Sequence, residues 1–298
     1  MTKINEDKVP EHQTGDIDTT GHSWDGIEEF NNPMPRWWLW CFYLCIIWGV
    51  GYVILYPAWP GINAATPGIL GFSTRAEVAA DIAAVEEANG PINARLTEVA
   101  LTEIADDQEL LTYSRQAGAA VYRSWCSQCH GAGAAGVQAS GYPNLLDDDW
   151  LWGGDIEAIH ETITHGIRNE DSDDARYSEM PAFGDILEAE EITSVVAYVQ
   201  NISGQTPSDA GLVGAGEEVY LDNCAACHGD DGKGDRFQGA PNLTDAIWLY
   251  GGDAETLTET VTYSRFGVMP AWNERLSEAE LRAVATYIHG LGGGEASE

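Results

Sequence analysis

"WCSQCHG", Trp125–Gly131, and "NCAACHG", Asn223–Gly229, are the stretches on which the reading of this chain turns. Each holds a Cys-x-x-Cys-His. Together they take four of the six cysteines, and the other two, Cys41 and Cys45, lie in an apolar run. The motifs belong to a longer repeat. Cys126, Cys129, His130, Pro143, Trp150, Gly153 and Gly154 recur 98 positions later as Cys224, Cys227, His228, Pro241, Trp248, Gly251 and Gly252. The offset then shrinks to 89, where Met180-Pro181-Ala182 matches Met269-Pro270-Ala271. The nine extra residues of the first copy fall most simply in "RNEDSDDAR", Arg168–Arg176, which reads as an acidic surface loop.

Both copies follow one helical plan. A helix leads into the cysteines, a glycine-rich loop follows, a second helix starts after Gly-Gly-Asp, and a Met-Pro loop precedes a last amphipathic helix. Leu281, Val284, Ala285 and Ile288 give the i, i+3, i+4, i+7 stripe of that last helix, matched by Ile192, Val195, Val196 and Val199. Ser277 with Glu280 predicts a capping box, and Glu188, Glu190 and Glu191 suit a helix N-terminus. No strands are expected. The link "GQTPSDAG" is short, so the two units should pack together.

Two thiols separated by two residues can add to the vinyl groups of haem, and the adjacent histidine then sits beneath the iron as proximal ligand. Cys126 and Cys129, and Cys224 and Cys227, are therefore the expected covalent attachment points of two c haems, with His130 and His228 as axial ligands. A thioredoxin-like redox pair would need a βαβ context, and a structural zinc site would need nearby second ligand pairs; neither pattern is present. The sixth ligand is sought among four methionines. Met1 and Met34 precede the repeat, whereas Met180 and Met269 hold matching places in it. A thioether opposite imidazole raises the potential and closes the iron to other ligands. His160, His165 and His289 do not repeat; of these, His165 is expected nearest a haem. Arg168 and Arg265 are candidates to meet haem propionates, against the plainer reading of surface arginines.

Trp37–Tyr56 is a run of twenty residues without charge, "WWLWCFYLCIIWGVGYVILY". At about 1.5 Å per residue it spans the hydrocarbon core, and Trp37, Trp38, Trp40, Tyr56 and Trp59 suit an interfacial belt. Pro57 and Pro60 end it, and its 36-residue polar lead sets it apart from a cleavable signal. Cys41 and Cys45 read as small apolar residues of the span. Beyond it, "PAWPGINAATPGILGFS" predicts an extended linker. Thr74 with Glu77 predicts the start of a short helix that Gly90-Pro91 stops, and a second short helix is expected around Ala94–Ile104. Haem attachment of this type takes place outside the cytoplasmic membrane. Residues 57–298 should thus face the periplasm and the N-terminus the cytoplasm.

The net charge of −34 excludes nucleic acid as a natural partner, because phosphate binding needs clustered Lys and Arg. Residues 57–298 carry 40 acidic against 11 basic side chains, a net of −29. Such a surface is either a solvated shell suited to saline surroundings or a docking field for a basic partner.

These features resemble the CcoP/FixP family, the di-haem subunits of cbb3-type cytochrome c oxidase. The likeness covers nearly the whole length. "HSWDGIEEFNNPMPRWW" from His22 carries it most sharply, together with "YPAWPG", "ITHGIRNEDSDDARYSEMPAFG" and "SRFGVMPAW". The resemblance implies an all-α chain with one N-terminal transmembrane helix and two tandem class I cytochrome c domains. The corresponding boundaries are 1–36 cytoplasmic, 37–56 spanning, 57–112 linker, 113–204 first domain and 210–292 second domain. It also implies His–Met ligation by His130, Met180, His228 and Met269. The implied partners are a haem–copper catalytic subunit, a mono-haem cytochrome c subunit, a soluble cytochrome c donor and membrane lipid. Electrons would pass from soluble donors toward the oxygen-reducing subunit. The alternatives are a free-standing tethered shuttle, or a di-haem enzyme such as a thiosulfate dehydrogenase, which would need an open iron.

Overall fold

The computed structural model describes residues 19–297, apart from the side chain of Ala139; the first eighteen residues of the expected cytoplasmic segment lie outside the described residues. Of the described residues, those through Glu86 form one compact unit and those from Glu87 onward a second.

In the first unit, helix α1, Arg36–Leu55, is long and apolar enough to cross a membrane, and none of its residues is buried. Cys41 and Cys45 lie exposed on it. Two of the carbonyls left open at its C-terminus, Ile54 and Leu55, accept hydrogen bonds from the amides of Ile69 and Leu70 at 3.0 and 3.1 Å. The linker therefore bends back over the end of the span and is not extended throughout. Gly68 makes this return possible: its φ is +70° and a Cβ there would strike the Leu55 backbone.

Among the described residues no strand forms in the repeat, as expected there, but ahead of the span Thr19–Trp24 (β1) and Ile27–Phe30 (β2) form a small antiparallel hairpin. Asp25 and Gly26 connect them with φ of +51° and +83°, the signature of a two-residue primed turn. Every residue of both strands is exposed, so no apolar alternation advertises them. Against expectation, Gly90-Pro91 does not stop a helix. Helix α2 runs unbroken from Thr74 to Glu98, its N-terminus capped by the Ser73 hydroxyl rather than by Thr74. Pro91 removes one amide donor. Downstream packing holds the helix regardless: Leu96 is fully buried with Ile104, Leu110, Ala279 and Ala283, and Asn93 accepts from the Tyr113 hydroxyl at 2.8 Å. A 3-10 turn, Leu101–Asp106, stands where the second short helix was expected.

The second unit holds the repeat. In the first copy α3, Gln108–Val121, passes through one π-turn into the short α4, Ser127–His130, and is followed by α5, Ile156–His165, and α6, Ala189–Ile202. In the second copy the same order is α7, Val213–Asn223, α8, Ala225–His228, α9, Ala254–Tyr263, and α10, Glu278–His289. Asp155 and Asp253 cap α5 and α9 by accepting from the amides of Ala158 and Thr256. Capping boxes open α6 at Glu188–Glu191 and α10 at Ser277–Glu280.

The helices do not close within their own copies. The last helix of the second copy, α10, packs on α3 of the first, and the last helix of the first copy, α6, packs on α7 of the second. One core joins Tyr122, Ile159 and Ile163 to Leu281, Val284 and Ile288; the other joins Val195, Val196 and Val199 to Tyr220 and Leu257. The two halves are related by an approximate two-fold. Gly118 meets the Ala283 backbone and the Tyr287 side chain, and Gly216 meets Ser194 and Tyr198 in the same way. Gly141 packs against Tyr250, and Gly239 against Trp152. Each contact is thus made twice, as in an isologous dimer interface, although one chain supplies both sides.

Candidate functional site

The helix crossing in each half sets out an open cavity beside each Cys-x-x-Cys-His. Tyr122 is buried and donates from its hydroxyl to the Gly131 carbonyl at 2.7 Å; Tyr220 does the same to Gly229 at 2.7 Å. These bonds turn the chain sharply after each Cys-x-x-Cys-His, where Gly131 and Gly229 take φ of +79° and +77°. The Nδ1 of His130 lies 3.2 Å from the Pro143 carbonyl, and that of His228 lies 3.1 Å from the Pro241 carbonyl. A carbonyl can only accept, so Nδ1 carries the proton and Nε2 keeps the lone pair that a metal needs. Burial holds both imidazoles below the usual histidine range, and so neutral, against a smaller opposing effect of the carbonyl.

The two cavities are matched, at about 1250 and 1290 Å³ of non-atom space including their open mouths. Cys126, Cys129 and His130 line the first, and Cys224, Cys227 and His228 the second. The methionines are exchanged. Met269 lines the cavity of Cys126 and His130, whereas Met180 lines that of Cys224 and His228. Met269 is held there by paired backbone bonds with Ile167, at 2.9 and 3.0 Å, and by the Asn169 amide donating to its carbonyl at 3.0 Å. Met180 is held by the Ser264 hydroxyl donating to its carbonyl. The acidic loop thus reaches across to fix the other copy's methionine, a role that its surface-like composition concealed.

The donor set fits a c-type haem. All four motif cysteines are half-buried in cavities whose walls are largely apolar, and none is bridged to another. Burial, with a smaller contribution from the neighbouring cysteine, pushes Cys126 and Cys224 up to about 11. They are therefore thiols near neutral pH, unlike the low-pKa thiolates of a redox or zinc pair. His160, His165 and His289 are not among the residues that line either cavity. His165 turns to the Ser172 hydroxyl at 3.0 Å, His160 faces Glu278 at 3.4 Å, and His289 donates to the Glu295 carbonyl at 2.7 Å. Ser172 holds the His165 ring against the acidic loop. Arg265 lines the second cavity, paired with Glu259 at 2.9 Å and stacked over Tyr250. Arg168 lines both. Sequence offset could not reveal that, because Arg168 has no basic counterpart in the second copy.

A spanning-type helix followed by two Cys-x-x-Cys-His cavities, each with a methionine in its wall, defines a membrane-anchored c-type cytochrome. The comparisons narrow the class. Residues 17–63 match the family described as the N-terminal domain of cytochrome oxidase-cbb3, FixP, and residues 114–199 and 211–288 match cytochrome c oxidase, cbb3-type, subunit III. The chain is 64% identical over 290 residues to the cbb3-type cytochrome c oxidase subunit CcoP of Cereibacter sphaeroides, covering 97% of this chain and 99% of that one. It is 56% identical to CcoP of Rhodobacter capsulatus, covering 94% and 97%, and 48% identical to FixP of Azorhizobium caulinodans, covering 96% and 97%. The chain belongs to the CcoP/FixP family, the haem c-bearing electron-transfer subunits of cbb3-type cytochrome c oxidase.

Proposed function

We propose that this chain carries two covalently attached c haems with crossed axial ligation: His130 with Met269 at the first, and His228 with Met180 at the second. The observation that carries this reading is the exchange of Met180 and Met269 between the two motif cavities. The bound group supplies a one-electron ferric/ferrous couple. The chain does the rest. Cys126, Cys129, Cys224 and Cys227 fix the ring by thioethers. The Pro143 and Pro241 carbonyls orient the proximal imidazoles and raise their basicity. The thioethers of Met180 and Met269 would hold the iron from the cavity wall, and the apolar walls would limit water.

In this reading α1 anchors the chain with its N-terminus in the cytoplasm and the haem unit in the periplasm. Electrons arrive from a soluble cytochrome c and leave for the haem–copper catalytic subunit, beside a mono-haem partner. Purification of the tagged chain in mild detergent tests it. Two haems per chain by pyridine haemochrome, both low-spin and resistant to acid–acetone extraction, and b-type haem and copper in the same fraction, are expected. One haem per chain, or a high-spin resting spectrum, overturns it.

A further inference from the structure

Arg168 is a half-buried cation with no carboxylate in ion-pair contact among the described residues. Arg95, Arg176, Arg236, Arg265 and Arg282 each hold an acidic side chain within 4 Å, and among the described residues Arg168 holds none. This is notable in a chain of net charge −34. Its guanidinium is half-buried, and desolvation lowers its affinity for its own proton, against a smaller opposing effect of Tyr250, Glu179 and Tyr177, with Glu179 beyond ion-pair contact. Two of its five N–H groups are used, Nε–H donating to the Gly267 carbonyl and an Nη1–H to the Ser178 carbonyl, both at 2.8 Å. The other three remain for an anion.

Its place in the fold explains the missing partner. The position 98 residues on is Phe266, and the Arg168 guanidinium lies 5.6 Å from the centre of that ring. Equivalent positions touch each other only at a two-fold axis, so Arg168 stands on the approximate axis that relates the two cavities. This is why it lines both. The backbone is held there at φ +49°, unusual for arginine. A second arginine at Phe266 would set two like charges face to face; the aromatic ring instead accepts the first.

We propose that Arg168 is a single counter-charge shared by the carboxylates of both bound haems, and so sets both redox potentials together. The inference rests on the two-haem reading above. A positive charge in the wall shared by the two cavities would favour the ferrous state of a haem held in either. Arg265, which lines the second cavity alone, acts on that one only.

Spectroelectrochemical titration of the full-length chain in detergent tests this, after pyridine haemochrome has counted two haems in every variant. A count below two in the unaltered protein would refute the two-haem reading instead. Arg168→Gln is expected to lower both midpoint potentials, each by about tenfold in the ferrous/ferric constant, or about 59 mV for one electron. Arg168→Lys keeps the charge and should restore most of both shifts. Arg265→Gln should move one potential. If Arg168→Gln does not accumulate, Phe266→Leu, which frees the guanidinium from its ring, must still shift both. A shift confined to one haem, or none at either, overturns the proposal.

Discussion

Gly118 of α3 lies against the main chain of Ala283 in α10, so closely that a Cβ at position 118 would overlap the Ala283 carbonyl. The two helices come from different repeats, and Gly216 against Ser194 reproduces the contact in the other half. Gly118→Ala or Gly216→Ala is expected to force the crossing apart and to destabilise the fold by about 1–3 kcal/mol, as overpacking does. Gly214→Ala is the control. It sits in α7 with nothing within 4 Å of the added methyl, and it should be neutral or gain about 0.5–1 kcal/mol. Thermal unfolding of the three variants measures both.

Crossed ligation makes a directional prediction. Met269→Ala should lower the potential of the haem on Cys126 and Cys129 and open it to carbon monoxide, leaving the haem on Cys224 and Cys227 close to its native value. Met180→Ala should do the converse. Removing one attachment motif, through Cys126→Ala with Cys129→Ala, leaves a single haem to read. In that background Met180→Ala should bind carbon monoxide and Met269→Ala should not. The opposite pattern would place each ligand within its own repeat.

Asp149 is pushed up to about 6, mainly by burial, with Asp245, Asp147 and Asp148 adding to the effect and Arg236 opposing it. A carboxyl raised in this way binds its proton more tightly in the folded chain than in the unfolded one. The penalty is therefore full above about pH 6, shrinks as pH falls from there, and is gone below the ordinary carboxylate value near 4. Asp149→Asn should gain about 1 kcal/mol at pH 7.5, a figure discounted for the solvent-facing half of the side chain. Below about pH 4 that gain should vanish. Melting temperatures of both proteins across this range give the difference curve.

The net charge of −29 beyond residue 56 predicts electrostatic steering. Stopped-flow reduction by a basic cytochrome should slow steeply with ionic strength, because at physiological salt the field is screened over about 8 Å. An acidic donor should lack that decline. A rate for the basic donor that stays flat would leave the charge with a solvating role alone.

How much of this was legible in the sequence depends on the kind of signal. The repeated motif left the clearest one: spacing picked out Cys126, Cys129, His130 and their counterparts, the scarcity of methionine picked out Met180 and Met269, and all of them line the two cavities. The caps at Ser277 and Glu188 were equally plain. What could not be read was which copy each helix completes. The stripes Ile192–Val199 and Leu281–Ile288 specify that a face is buried, and they are so alike that either could pack on α3 or α7. The exchange is written in tertiary contacts such as Gly118–Ala283, which have no periodic trace. The hairpin at Asp25-Gly26 did have a local sign, the Asp-Gly turn, but its strands bury nothing. Pro91 misled because packing around Leu96 outweighs a lost backbone donor.

The interleaving of the halves also sets an order of assembly. A chain delivered across a membrane from its N-terminal end presents Cys126, Cys129 and His130 early, but the wall that contains Met269 arrives only with the end of the second repeat. The second motif, by contrast, emerges after Met180 is already present. The later motif can therefore complete its pocket first, and the earlier one must wait with one side open. For the same reason a cut in the link "GQTPSDAG" would not yield two small cytochromes. It would yield two fragments, each holding a cysteine pair and the other fragment's methionine, able to finish themselves only by finding each other.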